Sequence, residues 1–209
     1  MKKIKYSQIK RLSDISFSLI LIIIFSPLFF LFFLKSLINK KEIFLFSQLR
    51  VGKNYKLFNC YKFQTMSSNS SELLDQLFEK EPSIKKTYIE NFKLKNDPRI
   101  TRIGKVLRKT SLDEVPQLIN ILKGEMSLIG PRPIVSEEIK KYGIHMNKVI
   151  SVKPGLSGLW QVSGRNNISY KKRIILDRYY VKNFNFWLDF KIFLRTIIII
   201  AIPINNGSY

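Results

Sequence analysis

The chain has 209 residues, 45% of them hydrophobic, and 36 lysines and arginines against 15 acids give it a formal net charge of +21. That length holds one domain and one membrane element, and the charge selects anionic partners: nucleic acid, anionic lipid or phosphorylated substrates. A single cysteine, Cys60, excludes an internal disulfide framework and fits a reducing compartment; beside the one histidine, His145, it also leaves no ligand set for a structural zinc.

The first predicted element is apolar. Ile15 to Leu34 is a run of twenty uncharged residues. A straight helix of that length covers roughly 30 Å, the hydrocarbon thickness of a bilayer. It exceeds the apolar core of a signal peptide, and no small-residue cleavage site follows. Ser26-Pro27 sits near its middle, where proline removes a backbone hydrogen bond. Both flanks are basic: Lys2, Lys3, Lys5, Lys10 and Arg11 precede the run, and Lys35, Lys40, Lys41, Arg50, Lys53 and Lys56 follow it. A simple span normally shows a charge asymmetry between its flanks. The expectation is therefore a re-entrant helix that breaks at Ser26-Pro27 and returns to the cytosolic face. A straight span is the alternative, because prolines occur in transmembrane helices.

Two aromatic, β-prone runs, Ile43 to Leu49 and Tyr55 to Phe63, flank Gly52-Lys53-Asn54 and predict a β-hairpin. Lys62 lies near its end, either directed into a basic pocket or solvated like an ordinary strand lysine. Ser67 to Ser71 is a loop or helix start. Glu72 to Phe92 has helical spacing interrupted by Pro82. Lys95 to Gly104 reads as a turn feeding a short helix.

The stretch that carries chemistry is Arg108-Lys-Thr-Ser-Leu-Asp113-Glu114-Val-Pro116-Gln117-Leu118. Proline is tolerated only in the first turn of a helix, so the helix holding Leu118, Ile119, Ile121 and Leu122 starts at Leu112 or later. Asp113 and Glu114 then stand at its N-terminal end, where unpaired N–H groups favour anions, phosphate included. Arg102, Lys105, Arg108 and Lys109 arrive just before. An ionised carboxylate in a basic, phosphate-ready pocket is a candidate nucleophile for phosphoryl transfer. The competing reading is structural: Ser111-Leu-Asp-Glu114 fits a capping box, or Asp113 is a plain N-cap.

Gly124 reads as a helix C-cap. Pro131 and Pro133 restrict the backbone around Arg132, either holding its guanidinium ready for phosphate or forming a simple turn. Lys153 to Asn166 is glycine-rich and matches neither a Walker loop nor a dinucleotide fingerprint. Tyr170 to Lys182 is a charged helix. Phe184 to Ile204 is apolar but interrupted by Asp189, Lys191 and Arg195. It reads as an amphipathic helix on a membrane surface with Trp187 near the headgroups, or as a core helix. Asp189 is then a surface charge or a partner of the basic pocket.

Taken together, these motifs resemble the bacterial sugar transferase family, the monotopic phosphoglycosyl transferases, over about residues 8–200. The elements that carry the resemblance are Lys10-Arg11 before the run broken at Ser26-Pro27, Gln48-Leu-Arg-Val-Gly52, Tyr61-Lys62-Phe63 and Asp97-Pro-Arg-Ile-Thr-Arg-Ile-Gly104. They continue with Leu107 to Leu118, Ser127 to Pro133, Lys153-Pro-Gly155 and Trp187-Leu-Asp189. Gln64 departs from the arginine usual in the family after the Lys-Phe pair.

The resemblance implies an enzyme that moves a sugar-1-phosphate from a UDP-sugar to undecaprenyl (polyprenyl) phosphate, releasing UMP and initiating glycoconjugate or polysaccharide synthesis. It implies Asp113 as the nucleophile of a covalent aspartyl intermediate, and Glu114 as a group that helps bind Mg²⁺, beside Asp113, or activates the lipid phosphate. Lys62, Arg108 and Arg132 are the expected phosphate-binding residues, and Asp189 is a candidate supporting residue. The expected fold is α+β and mostly helical. Residues 1–40 form the membrane-inserted helix, and residues 41–209 form a cytosolic catalytic domain with a small hairpin and amphipathic surface helices, at the inner face of a bacterial cytoplasmic membrane. The rival from another class is a non-enzymatic basic protein bound to anionic lipid, for which Asp113 is dispensable. Nucleic acid is disfavoured by the apolar run and the lack of a binding motif.

Overall fold

The computed structural model describes residues 2–38, 45–91, 94, 97–164 and 167–202. Lys40, Lys41, Ile43, Phe44, Phe92, Lys95, Asn96, Arg165, Asn166, the end of the apolar tail at Ile204 and the expected boundary between residues 40 and 41 lie outside the described residues.

Helix α1 runs from Lys2 to Ile38. Ser26 and Pro27 lie within it rather than ending it. Pro27 has no N–H to offer the Ile23 carbonyl one turn earlier. The Ser26 hydroxyl donates to that carbonyl instead, at 2.8 Å. Asp14 and Ser18 are buried, and Leu21, Ile22, Phe25, Leu28, Phe29 and Phe32 continue the same face onto the core of the domain. That spacing of three and four is what one helix face requires. Phe17, Ile20, Ile24 and Leu31 are exposed on the other side.

The predicted hairpin is present. Strand β1 (Leu45–Val51) pairs antiparallel with β2 (Leu57–Phe63), from Leu45 opposite Phe63 to Val51 opposite Leu57. The turn places Asn54 and Tyr55 at positive φ, 53° and 63°. Pro82 separates α2 (Ser70–Lys80) from α3 (Pro82–Asn91), where it occupies the first helical position. Helix α4 (Arg102–Thr110) begins at Thr101, whose hydroxyl accepts from the Gly104 N–H at 3.0 Å. A 3-10 turn, Leu112–Glu114, leads to α5 (Gln117–Lys123), which ends at Gly124 with φ of 83°.

The two glycine-containing loops predicted from sequence meet. Strand β3 (Ser127–Ile129) pairs parallel with β4 (Gly155–Ser157). Gly130 and Gly155 permit this: a Cβ on Gly155 would stand 2.0 Å from the Gly130 nitrogen. Short helices α6 (Ile139–Tyr142) and α7 (Met146–Val149) fill the crossover. Helices α8 (Tyr170–Asn183) and α9 (Phe186–Ala201) close the domain.

One buried cluster joins Phe58, Cys60, Phe63, Leu107, Val115, Leu118, Ile121 and Met126 under the inner face of α1. A second gathers Val51, Ile134, Tyr142, Met146, Val149, Ile150 and Ile174, and a third, around Ile129, Tyr180, Val181 and Ile192, seats α8 and α9. The fold is α+β and mostly helical, as expected.

Candidate functional site

Asp113 and Glu114 occupy the 3-10 turn between α4 and α5, and Pro116 directly precedes the first residue of α5. The capping alternative fails here. Ser111 is in the left-handed region (φ 58°), ends α4 and makes no side-chain cap. Among the described residues the Asp113 carboxylate makes no hydrogen bond or ion pair, although only 9% of the residue is exposed.

Three predicted cations surround the two carboxylates. Lys62 Nζ, from β2, stands 2.6 Å from Glu114 Oε1. Arg132 Nη1, from the loop after β3, is 3.8 Å from the same oxygen. The charge of Arg108, from α4, acts on Asp113, and its Nε donates to Thr65 Oγ1 at 2.9 Å. Gly104 makes that contact possible, because a Cβ there would stand 2.1 Å from the Thr65 carbonyl oxygen. Burial and the neighbouring Glu114 charge push the Asp113 carboxyl up to about 6, against the opposing pull of Lys62, Arg108 and Arg132. Burial pulls the Arg108 guanidinium down.

Asp113 and Glu114 line a cavity of about 960 Å³ that has two characters. Its lining includes Lys62, Arg99, Arg108, Arg132 and Arg173, and also Leu21 and Phe25 of α1 with Phe193, Ile197 and Ile200 of α9. A phosphorylated, water-soluble ligand and an apolar chain both find matching walls.

Asp189 is not among the groups around this cavity. It is buried at the junction of α1, α8 and α9, where it pairs with Lys10 and accepts from the Tyr6 hydroxyl at 2.7 Å and the Tyr180 hydroxyl at 2.8 Å. Neither role weighed for it, surface charge or pocket partner, describes it; it ties α1 to α9. Trp187 is exposed.

Several further residues stand around the site. Arg50 braces the Arg132 loop by donating to the Pro133 carbonyl at 3.2 Å. Asp97 and Arg99 form a buried two-point pair at 2.8 and 2.6 Å beside the Arg108 end of the cavity. Trp160 and Arg173 come from the distant glycine-rich segment and α8. Arg50, Asp97 and Arg99 lie in stretches that carry the family resemblance, whereas Trp160 and Arg173 do not.

The family described as bacterial sugar transferase matches residues 5–202. The chain is 47% identical to an uncharacterised sugar transferase of Haemophilus influenzae, over all of this chain and 44% of that protein. It is 47% identical to the undecaprenyl-phosphate galactose phosphotransferase of Salmonella typhimurium, over 90% of this chain and 39% of that protein. It is 41% identical to the exopolysaccharide production protein ExoY of Sinorhizobium fredii, over 96% of this chain and 88% of that protein. The chain thus spans less than half the length of the first two relatives.

Proposed function

Since the chain belongs to the bacterial sugar transferase family, we propose that it transfers a sugar-1-phosphate from a UDP-sugar to undecaprenyl phosphate, with UMP as the other product. The observation that carries this reading is the uncommitted Asp113 carboxylate, buried among cations in a cavity lined by both cationic and apolar residues. A relative named for the same lipid phosphate, the galactose phosphotransferase, supports the acceptor.

In the first half-reaction an Asp113 carboxylate oxygen attacks the sugar-side phosphorus. The new bond is aspartyl O–P, the bond broken is the diphosphate P–O, and UMP leaves with that electron pair. In the second half, a phosphate oxygen of the polyprenyl phosphate attacks the same phosphorus. The aspartyl O–P bond breaks, and the Asp113 carboxylate is regenerated. Proton transfer is minimal, so the work left to the protein is positioning and charge neutralisation. Lys62, Arg108 and Arg132 supply it. Glu114 is held by Lys62 beside the nucleophile, poised to orient the lipid phosphate.

Mg²⁺ fits this donor set when substrate phosphates complete its shell. Among the described residues no cluster of three or more metal-ligating side chains exists, and Mg²⁺ is commonly bound by one or two carboxylates plus phosphates. Glu114, with Asp113 beside it, would hold the ion, which would neutralise charge on the diphosphate.

The same reading places the domain against one face of the bacterial cytoplasmic membrane, on the cytosolic side. Arg11 of α1 donates to the Ile121 and Leu122 carbonyls, and Asp14 accepts from the Leu128 N–H. Far along the same helix, Phe32 stacks on Phe63 with ring centroids 4.6 Å apart. Arg11 and Phe32 are separated by roughly 30 Å of helix. A helix crossing the bilayer away from the domain would carry Phe32 out of reach of Phe63, the neighbour of Lys62. Contact from Arg11 to Phe32 supports insertion along the face of the domain, and with Ser26 and Pro27 inside one continuous helix the expected break and return are not what holds it there.

The test is a panel of UDP-sugars with Mg²⁺, with and without undecaprenyl phosphate, on protein in nanodiscs. Lipid-dependent UMP release supports the reading, and the active donor identifies the sugar. A protein that binds anionic lipid but releases UMP from no donor favours the non-enzymatic alternative.

A further inference from the structure

The lining of the same cavity includes Arg132, Tyr170 and Arg173 around Trp160, which is 5% exposed. The Arg132 guanidinium lies 6.0 Å from the indole centroid, and the Arg173 guanidinium lies 4.7 Å from the same centroid. Arg173 also sits 5.9 Å from the Tyr170 ring. An aromatic face holds a guanidinium without neutralising its charge or consuming its N–H groups.

The polar groups here are incompletely used. Arg173 Nε, Trp160 Nε1 and Gln161 Oε1 are buried without a hydrogen-bond partner, and all three residues line the cavity that contains Asp113. Buried polar atoms are normally paired, so three unpaired ones on one wall mark a place where a ligand supplies the partners. Among the described residues Arg173 has no carboxylate within ion-pair distance. Burial and then the charge of Arg132 pull its pKa down, so an incoming anion relieves an existing repulsion. Asp177, one helical turn along α8, does not cap it. That carboxylate is fully buried, and one of its oxygens accepts from the Tyr142 hydroxyl at 2.9 Å.

We propose that Arg173 and Arg132, both held against the Trp160 ring, form a two-cation clamp for the donor diphosphate, with Arg132 on the sugar-side phosphate and Arg173 on the nucleoside-side phosphate. The assignment of ends follows from distance to the nucleophile. Arg132 reaches Glu114, next to Asp113, so it serves the phosphorus that is attacked. Arg173 pairs with neither carboxylate and is not among the charges acting on Asp113, so it serves the phosphate that leaves. The nucleotide therefore enters from the α8 side of the cavity, and Arg173 holds the nucleoside monophosphate after the bond is broken. This inference rests on the donor reading above and adds a residue and a direction to it.

The experiment measures equilibrium binding of UMP and of uridine to the full chain in nanodiscs, for wild type, Arg173→Gln and Arg173→Lys. The two ligands differ by the phosphate that Arg173 is assigned to hold. Loss of one charge-assisted contact predicts a UMP affinity lower by about 10- to 100-fold in Arg173→Gln. Uridine affinity stays within about twofold, and Arg173→Lys recovers part of the loss. In turnover, the donor KM rises in Arg173→Gln while the KM for undecaprenyl phosphate holds. Unchanged UMP affinity in Arg173→Gln would overturn the clamp. So would an equal fall for UMP and uridine, which would mean a distorted pocket rather than a lost phosphate contact. Wild-type protein that binds no UMP would overturn the donor reading itself, and the clamp with it.

Discussion

Lys62 Nζ reaches Glu114 Oε1 at 2.6 Å, across the gap between the end of β2 and the turn that carries Asp113. This contact fixes the hairpin to the site. It keeps a positive charge near the Asp113 carboxyl, which burial drives towards protonation. Lys62→Met removes that charge while keeping much of the volume. We expect kcat to fall by about 100-fold or more, the scale of losing a pre-positioned electrostatic group. The acid limb of the pH–rate profile should move to higher pH. Steady-state UMP release across pH checks both.

Asp113 must be ionised to attack, and its carboxyl is pushed up to about 6. The rate should therefore fall as pH drops through that value, with the limb shifted down in Glu114→Gln, which removes the like charge. The same shift has a sign for stability. Between the ordinary value of 3.8 and about 6, the folded chain binds more protons than the unfolded one. Stability thus falls as pH rises across that window. Asp113→Asn cannot ionise, so it should melt above wild type at pH 7.5 and converge with it below pH 4. Thermal unfolding in detergent reads the difference.

Ser26 and Pro27 act as a pair. The Ile23 carbonyl lost its partner to Pro27 and regained one from Ser26. Both residues are on the exposed side of α1, where lipid offers no replacement hydrogen bond. Ser26→Ala should cost about 1–2 kcal/mol. In a Pro27→Ala background, which restores the backbone N–H, the same change should cost almost nothing. A double-mutant cycle of unfolding free energies gives the coupling.

Gly104→Ala places a methyl group against the Thr65 carbonyl, and backbone cannot rotate away as a side chain can. Helix α4 must move, taking Arg108 Nε from Thr65 Oγ1. We expect a Tm lower by about 5 °C or more, together with a weaker donor interaction seen as a raised KM.

Local chemistry made part of this site legible. Pro116 announced a helix start, but the acids stand in a separate 3-10 turn before it and not in the first turn of α5. Gly124 stopped α5, and the aromatic alternation gave the hairpin that presents Lys62. Ser111 looked like a cap because its spacing to Glu114 fits a capping box, but its left-handed backbone ends α4 instead. Asp189 was unreadable because its partners Lys10 and Tyr6 lie at the opposite end of the chain. The Trp160–Arg173 cluster was equally hidden: it is created by the parallel β3–β4 pair, a long-range contact that no residue spacing encodes.

The central claim is that Asp113 becomes covalently bonded to the phospho-sugar. Intact-protein mass spectrometry after incubation with the active UDP-sugar and Mg²⁺, without lipid acceptor, tests it directly. The account predicts a mass increase equal to one sugar phosphate on the wild type, mapped to Asp113, discharged by adding undecaprenyl phosphate and absent from Asp113→Asn. Lipid-dependent turnover with no adduct at any time point, or undiminished turnover by Asp113→Asn, would contradict it.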